Sequence, residues 1–215
     1  MRLNILTAIF FCLAINLSAQ VKFGVKSFYG VSYTAETTQE YVNLEPLRIH
    51  NLAFQKAESR KGIGFSMLAD NERLFFMVDG MYATSGRQFA LQSVKPTREP
   101  LDPALSYTTS EVDFRLAVNS GFKYKNLKVG VGPEMSIAMS RTEDLSNIEE
   151  ITTKDSKLQG GFNFLIGYEF FNLIHVDLKH TYIFQDVTNE FYYQGLPMEM
   201  NANAKYVELT VGFYL

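Results

Sequence analysis

The final eleven residues, Lys205-Tyr206-Val207-Glu208-Leu209-Thr210-Val211-Gly212-Phe213-Tyr214-Leu215, constrain this chain more than any other stretch. In an extended strand Val207, Leu209, Val211, Phe213 and Leu215 share one face, while Tyr206, Glu208, Thr210, Gly212 and Tyr214 share the other. A strict period of two with a carboxylate in mid-strand calls for an apolar medium on one side and polar groups on the other. With the segment at the opposite end of the chain, the pattern points to a transmembrane β-barrel.

That opposite segment reads Met1-Arg2, an apolar run from Leu3 to Ile15, and Asn16-Leu17-Ser18-Ala19-Gln20. A basic residue, an apolar core and a small-residue exit make a signal peptide over residues 1–19, cut after Ala19. Its apolar core is shorter than the ~20 residues a membrane-spanning helix needs. Residues 20–215 then form the barrel domain. Cys12, the one cysteine, leaves with the leader, so the mature chain holds no disulfide and no thiolate metal site. The formal charge is −3, and loss of Arg2 makes it −4. No basic stripe is present, which argues against a nucleic-acid partner.

Seven further segments alternate in the same way. The first (22–33) sets Phe23, Val25, Tyr29, Val31 and Tyr33 against Lys22, Gly24, Lys26, Gly30 and Ser32. The second (61–69) sets Ile63, Phe65 and Met67 against Gly62, Gly64 and Ser66. The third (73–84) sets Leu74, Phe76, Val78 and Tyr82 against Arg73, Met77 and Asp79. The fourth opposes Val112, Phe114, Leu116, Val118 and Phe122 to Asp113, Arg115, Ala117, Asn119 and Gly121. The fifth opposes Leu127, Val129, Val131, Met135, Ile137 and Met139 to Lys128, Gly130, Gly132, Glu134, Ser136 and Ser140. The sixth turns Leu158, Phe162, Phe164, Ile166, Tyr168 and Phe170 away from Gln159, Gly161, Asn163, Gly167 and Glu169. The seventh turns Ile174, Val176, Leu178, Tyr182 and Phe184 away from His175, Asp177, Lys179, Thr181 and Gln185. One such alternation is a weak signal, and eight in succession are a strong one.

Connections supply an independent criterion. Asp70-Asn71-Glu72, Lys125-Asn126 and Phe171-Asn172 are tight turns. The remaining links, near 35–59, 85–109, 141–156 and 186–203, are long and polar. Short and long alternate strictly, which is the asymmetry of periplasmic turns and extracellular loops in outer-membrane barrels. Strands of about 10 residues, rising about 3.3 Å each and tilted about 40–45°, span roughly 25 Å, the height of the apolar band. The expected fold is therefore an all-β, eight-stranded antiparallel up-and-down transmembrane barrel in the bacterial outer membrane. Outer-membrane lipid surrounds it, and the barrel-assembly machinery is its partner during insertion. Tyr33, Tyr82, Phe122, Tyr168, Phe170 and Tyr182 fall where girdle residues belong.

A secreted lipocalin-like carrier has eight strands too, but its apolar residues point inward and its outer rows are charged. Here the non-apolar rows are rich in Gly, Ser, Asn and Ala with scattered charges of both signs, which suits a narrow filled interior. Buried charges require partners. Lys26, Arg115, Lys128 and Lys179 can balance Asp79, Asp113, Glu134, Asp177 and Glu208. An ion or proton path and a structural salt-bridge plug both fit that inventory. The plug is favoured because eight strands leave no open lumen.

The hairpin Gly121-Phe122-Lys123-Tyr124-Lys125-Asn126-Leu127, the following Val129-Gly130-Val131-Gly132-Pro133-Glu134 and the Ser18-Ala19-Gln20 exit resemble the porin-like and PorT-like outer-membrane barrels of Bacteroidetes. Those barrels are related in architecture to OmpA and OmpX. The resemblance spans the mature chain and implies the barrel fold. It also implies a role as accessory of a secretion apparatus. The last strand resembles a C-terminal assembly signal, although it ends on Leu215 with Phe213 two positions earlier.

Catalytic patterns do not survive inspection. A barrel deacylase needs His and Ser two apart on the lipid face, and Tyr182 stands where His180 would need the Ser. His50 has no evident acidic partner for a rim protease. His175 and Asp177 face inward while His180 faces outward, so one metal cannot collect all three. Gly130-Val131-Gly132 lacks the third glycine and the helix of a dinucleotide site. No cofactor is implied. Specific function then falls to the loops, where Leu44, Leu47, Ile49, Leu52 and Phe54, and Phe191-Tyr192-Tyr193 with Met198, form a binding surface or fold onto the rim. The leading expectation is a non-enzymatic protein with a structural, surface-binding or secretion-accessory role. The rival is a narrow pore or transporter for small solutes.

Overall fold

The computed structural model describes residues 20–33, 37–44, 47–57, 59–95, 97, 99–100, 105–143, 151–154, 158–183, 190–193, 196–198 and 205–215. The expected leader, residues 1–19 with Cys12, lies outside them, as do Phe184 and Gln185 of the seventh expected strand. The strands in chain order are β1 (Gln20–Ser32), β2 (Thr37–Leu44), β3 (Leu47–Ala57), β4 (Arg60–Asp70), β5 (Leu74–Val94), β6 (Leu105–Tyr124), β7 (Leu127–Glu143), β8 (Ile151–Lys154), β9 (Leu158–Phe170), β10 (Ile174–Ile183), β11 (Glu190–Tyr193), β12 (Leu196–Met198) and β13 (Lys205–Tyr214).

Eight of these, β1, β4, β5, β6, β7, β9, β10 and β13, pair antiparallel in sequence order. The ring closes where β1 meets β13, from Gly24 opposite Tyr214 to Ser32 opposite Tyr206. Phe23 and Leu215 exchange backbone hydrogen bonds of 3.2 and 2.8 Å at the foot of that seam. The expected eight-stranded up-and-down barrel is the fold observed.

Alternation becomes inside and outside as expected. Phe23, Val25, Phe65, Phe122, Val131, Ile166, Leu209 and Phe213 are exposed on the outer surface, and the charged rows are buried within. Glycines on the inner rows make room for larger neighbours. A Cβ on Gly62 would run into the Phe28 ring, one on Gly130 into Phe75, and one on Gly212 into Lys26 and Tyr214. The interior therefore also holds apolar clusters, one of Leu68, Phe75, Met77, Leu165 and Tyr214 and one of Phe28, Met81 and Ala83.

The three tight turns form where expected. Asn71 Oδ1 accepts from the backbone N–H groups of Arg73 and Leu74 at 2.9 and 2.7 Å. Lys125, Phe171 and Asn172 adopt positive φ of 53°, 53° and 58°. Two inward assignments are corrected. Arg73 lies exposed in the turn instead of on the inner face of β5. Ser140 is exposed because β7 carries a bulge: Asp113 faces Ala138 while Val112 faces Ser140, and the extra residue Met139 flips the side chains beyond it.

The long links, expected to be long and polar, carry strands of their own. β5, β6 and β7 run well past the ring, with lengths of 21, 20 and 17 residues. β3 pairs with the extension of β5 from Ala57 opposite Arg87 to Ile49 opposite Val94, and β2 pairs with β3. Among the described residues a second sheet, β12-β11-β8, joins the third and fourth long links.

Candidate functional site

The barrel interior gathers the chemistry-bearing residues in three connected tiers. All nine charges expected there, Lys26, Asp79, Asp113, Arg115, Lys128, Glu134, Asp177, Lys179 and Glu208, are buried. His175 and Glu169, already on inward rows, join them. Arg60, Asp70, Lys22 and Lys123 complete the set.

In the tier nearest the tight turns, Lys22 pairs with Glu169 at 2.7 Å and Lys123 bridges Glu169 at 2.9 Å and Asp70. His175 Nε2 lies 3.4 Å from Glu169, and its Nδ1 meets the Lys128 ammonium. The His175 ring packs on Tyr214 with centroids 4.3 Å apart. Lys128 is fully buried, 3.7 Å from Asp177, which ties this tier to the next.

The middle tier centres on Lys26, 3.0 Å from Asp177 and 3.1 Å from Asp79. Lys179 holds the second oxygen of Asp79. The Ser66 hydroxyl donates to Asp79 and accepts in turn from the Tyr214 hydroxyl at 2.7 Å. Toward the long links, Arg115 bonds Glu134 through Nε at 2.9 Å and lies 3.0 Å from Glu208. Arg60 lies 3.4 Å from Asp113 and 3.6 Å from Glu208. The Arg60 guanidinium lies over the Tyr206 ring and that of Arg115 over Phe28, 4.3 and 4.8 Å from the ring centroids.

Seven cations and seven carboxylates thus neutralise one another across strands. Between the middle and upper tiers, Asp79, Arg115, Glu134, Lys179 and Glu208 surround a void of about 10 Å³, the size of one water. At the tight-turn end a basin of about 1040 Å³, lined by Lys22, Asp70, Arg73, Lys123 and Lys125 among others, stops at the first tier.

Sequence reasoning missed Arg60 and Asp70 because it ended the second strand one residue short at each side. The Gly62, Gly64, Ser66 row, continued in both directions, reaches both. Lys123 likewise continues the row of Arg115, Ala117 and Asn119. His175 and Asp177 face inward, and His180 faces outward against the Tyr33 hydroxyl, as the alternation required. Among the described residues no group of three His, Cys, Asp or Glu is placed to hold a metal ion. His50 lies on β3, and its side chain is outside the described residues.

No protein-family model matches this sequence, and no curated protein does. Solved structures are similar in shape. The outer membrane protein OprG from Pseudomonas aeruginosa gives a TM-score of 0.54 at 6% identity over 92% of this chain and 97% of that one. The outer membrane protease OmpT from Escherichia coli gives 0.45 at 9% identity, covering 93% of this chain and 99% of that one. Ail, the attachment invasion locus protein of Yersinia pestis, crystallised with the heparin analogue sucrose octasulfate, gives 0.43 at 8% identity, covering 91% and 99%. The likeness to OprG, at that identity, is one of fold: this chain has the closed antiparallel β-barrel fold of outer-membrane proteins.

Proposed function

We propose that this protein is a sealed, non-enzymatic barrel of the bacterial outer membrane whose work is done by the sheet at its long-link end. The observation that carries the reading is the filled interior: three tiers of mutually paired charges, with a void the size of about one water between the middle and upper tiers. Paired charges held by cross-strand bonds rigidify a barrel and leave no lumen for solute. The apolar outer surface supports placement in a bilayer. The tight turns then face the periplasm and the long links the exterior.

A contiguous sheet in the order β2-β3-β5-β6-β7 extends beyond the ring, and among the described residues β2 has only β3 as a strand neighbour. Such an edge is a template for pairing with an extended segment of another chain, which supports surface binding or scaffolding. The accessory role in secretion rests on the resemblance of the Gly121–Leu127 hairpin to PorT-like barrels and belongs to the same reading.

Planar-bilayer recordings on the purified protein test the seal. The account expects no conductance steps above the bare membrane. Steps that persist in protein freed of other porins would make this a pore and overturn the sealed-barrel reading.

A further inference from the structure

The lipid-facing surface is uneven in one place. On β1, β4 and β5 the outward positions Ser27 and Gly80 are small, and Phe65, Tyr82, Phe114 and Phe213 stand around them. The result is an apolar groove of about 740 Å³ on the outside of the barrel. Its floor is open, since a Cβ at Gly80 would meet only the Phe114 ring, at 3.5 Å. Ile63 pairs with Ser27 on one side and Tyr82 on the other, so the groove crosses neighbouring strands without a break in the sheet.

Directly above it on β4, two residues toward the long links, is Lys61, exposed and opposite Tyr29 and Thr84. Two residues of strand place its Cα about 7 Å beyond that of Ile63. Among the described residues no carboxylate pairs with Lys61, in contrast to the interior cations. Tyr29 and Tyr82 flank it at the level where amphipathic rings mark the headgroup boundary. An exposed ammonium at that boundary, over an apolar trough, matches the two ends of one amphiphile.

We propose that this surface is a site for a membrane lipid bearing a phosphate headgroup, with an acyl chain in the groove and the phosphate on Lys61. The trough excludes a polar solute, and the cation selects among lipids by headgroup charge. The site rests on the outer-membrane reading above, since it needs the barrel exterior to face lipid.

Native mass spectrometry of the full protein, titrated with dimyristoylphosphatidylglycerol or with dimyristoylphosphatidylcholine, tests it. One lysine at a charged headgroup surface should favour the anionic lipid about fivefold. Lys61→Gln should erase that preference by bringing phosphatidylglycerol uptake down to the phosphatidylcholine level, and Gly80→Leu should weaken uptake of both. Ser27→Leu replaces Gly80→Leu if the latter fails to give heat-modifiable, folded protein. Equal affinity for the two lipids, a preference that survives Lys61→Gln, or a lipid-free dimer joined through this face would each overturn the site. Wild-type protein that is not heat-modifiable and does not enter nanodiscs would instead sink the outer-membrane reading itself.

Discussion

Glu208 lies 3.0 Å from Arg115 and 3.6 Å from Arg60, and all three are cut off from solvent. Removing one member of such a group leaves its partners charged and uncompensated, at a cost of about 3–5 kcal/mol. Glu208→Ala and Arg115→Ala should each shift the denaturant midpoint of unfolding strongly downward. Val207→Ala, on the outer face of the same strand, should shift it less, because in the proposed bilayer setting lipid fills the space. Neither charge variant should acquire a conductance. Full stability together with a new conductance in either would contradict the structural role. The sequence showed the inward direction of Glu208 and Arg115, because each alternates with the apolar row of its strand. It did not show that Phe28, Phe75 and Met81 share the inward rows. Phe28 sits against Gly62 and Met81 against Gly64 of the adjacent strand, and Phe75 against Gly130 two strands away, proximities that parity alone does not reveal.

Strand assignments were legible where an apolar outer face opposes a polar, charged interior, since that contrast imposes a period of two. Beyond the ring the contrast is absent, so the pairing of β2 with β3 and of β3 with β5 left no comparable imprint on Thr37–Leu44 or Leu47–Ala57. The bulge at Met139 was hidden for a related reason, because one inserted residue preserves local composition while reversing every side chain after it. The tight turns were legible because Asn71 caps its own turn through the side-chain oxygen. Their placement at the end opposite the sheet extension sets the topology. An epitope inserted at Thr97, between β5 and β6, should be labelled by antibody on intact cells, and one at Asn71 or Asn126 only after the outer membrane is permeabilised. Labelling of intact cells at Asn71 with none at Thr97 would invert the barrel.

At the scale of the whole molecule, one reversal separates this barrel from a soluble carrier: apolar residues face out and charges face in. Site-directed spin labelling along β13 measures that reversal directly, because Cys12 is the chain's sole cysteine and a Cys12→Ser background accepts single labels from 206 to 214. In lipid vesicles, labels at Val207, Leu209, Val211 and Phe213 should be relaxed strongly by oxygen and weakly by a water-soluble nickel chelate. Labels at Tyr206, Glu208, Thr210 and Gly212, wherever the barrel still folds, should be shielded from both. That two-residue alternation, in that phase, is what the account predicts. The opposite phase, with the even positions open to the nickel reagent and the odd ones occluded, would show an apolar interior and contradict the membrane barrel outright.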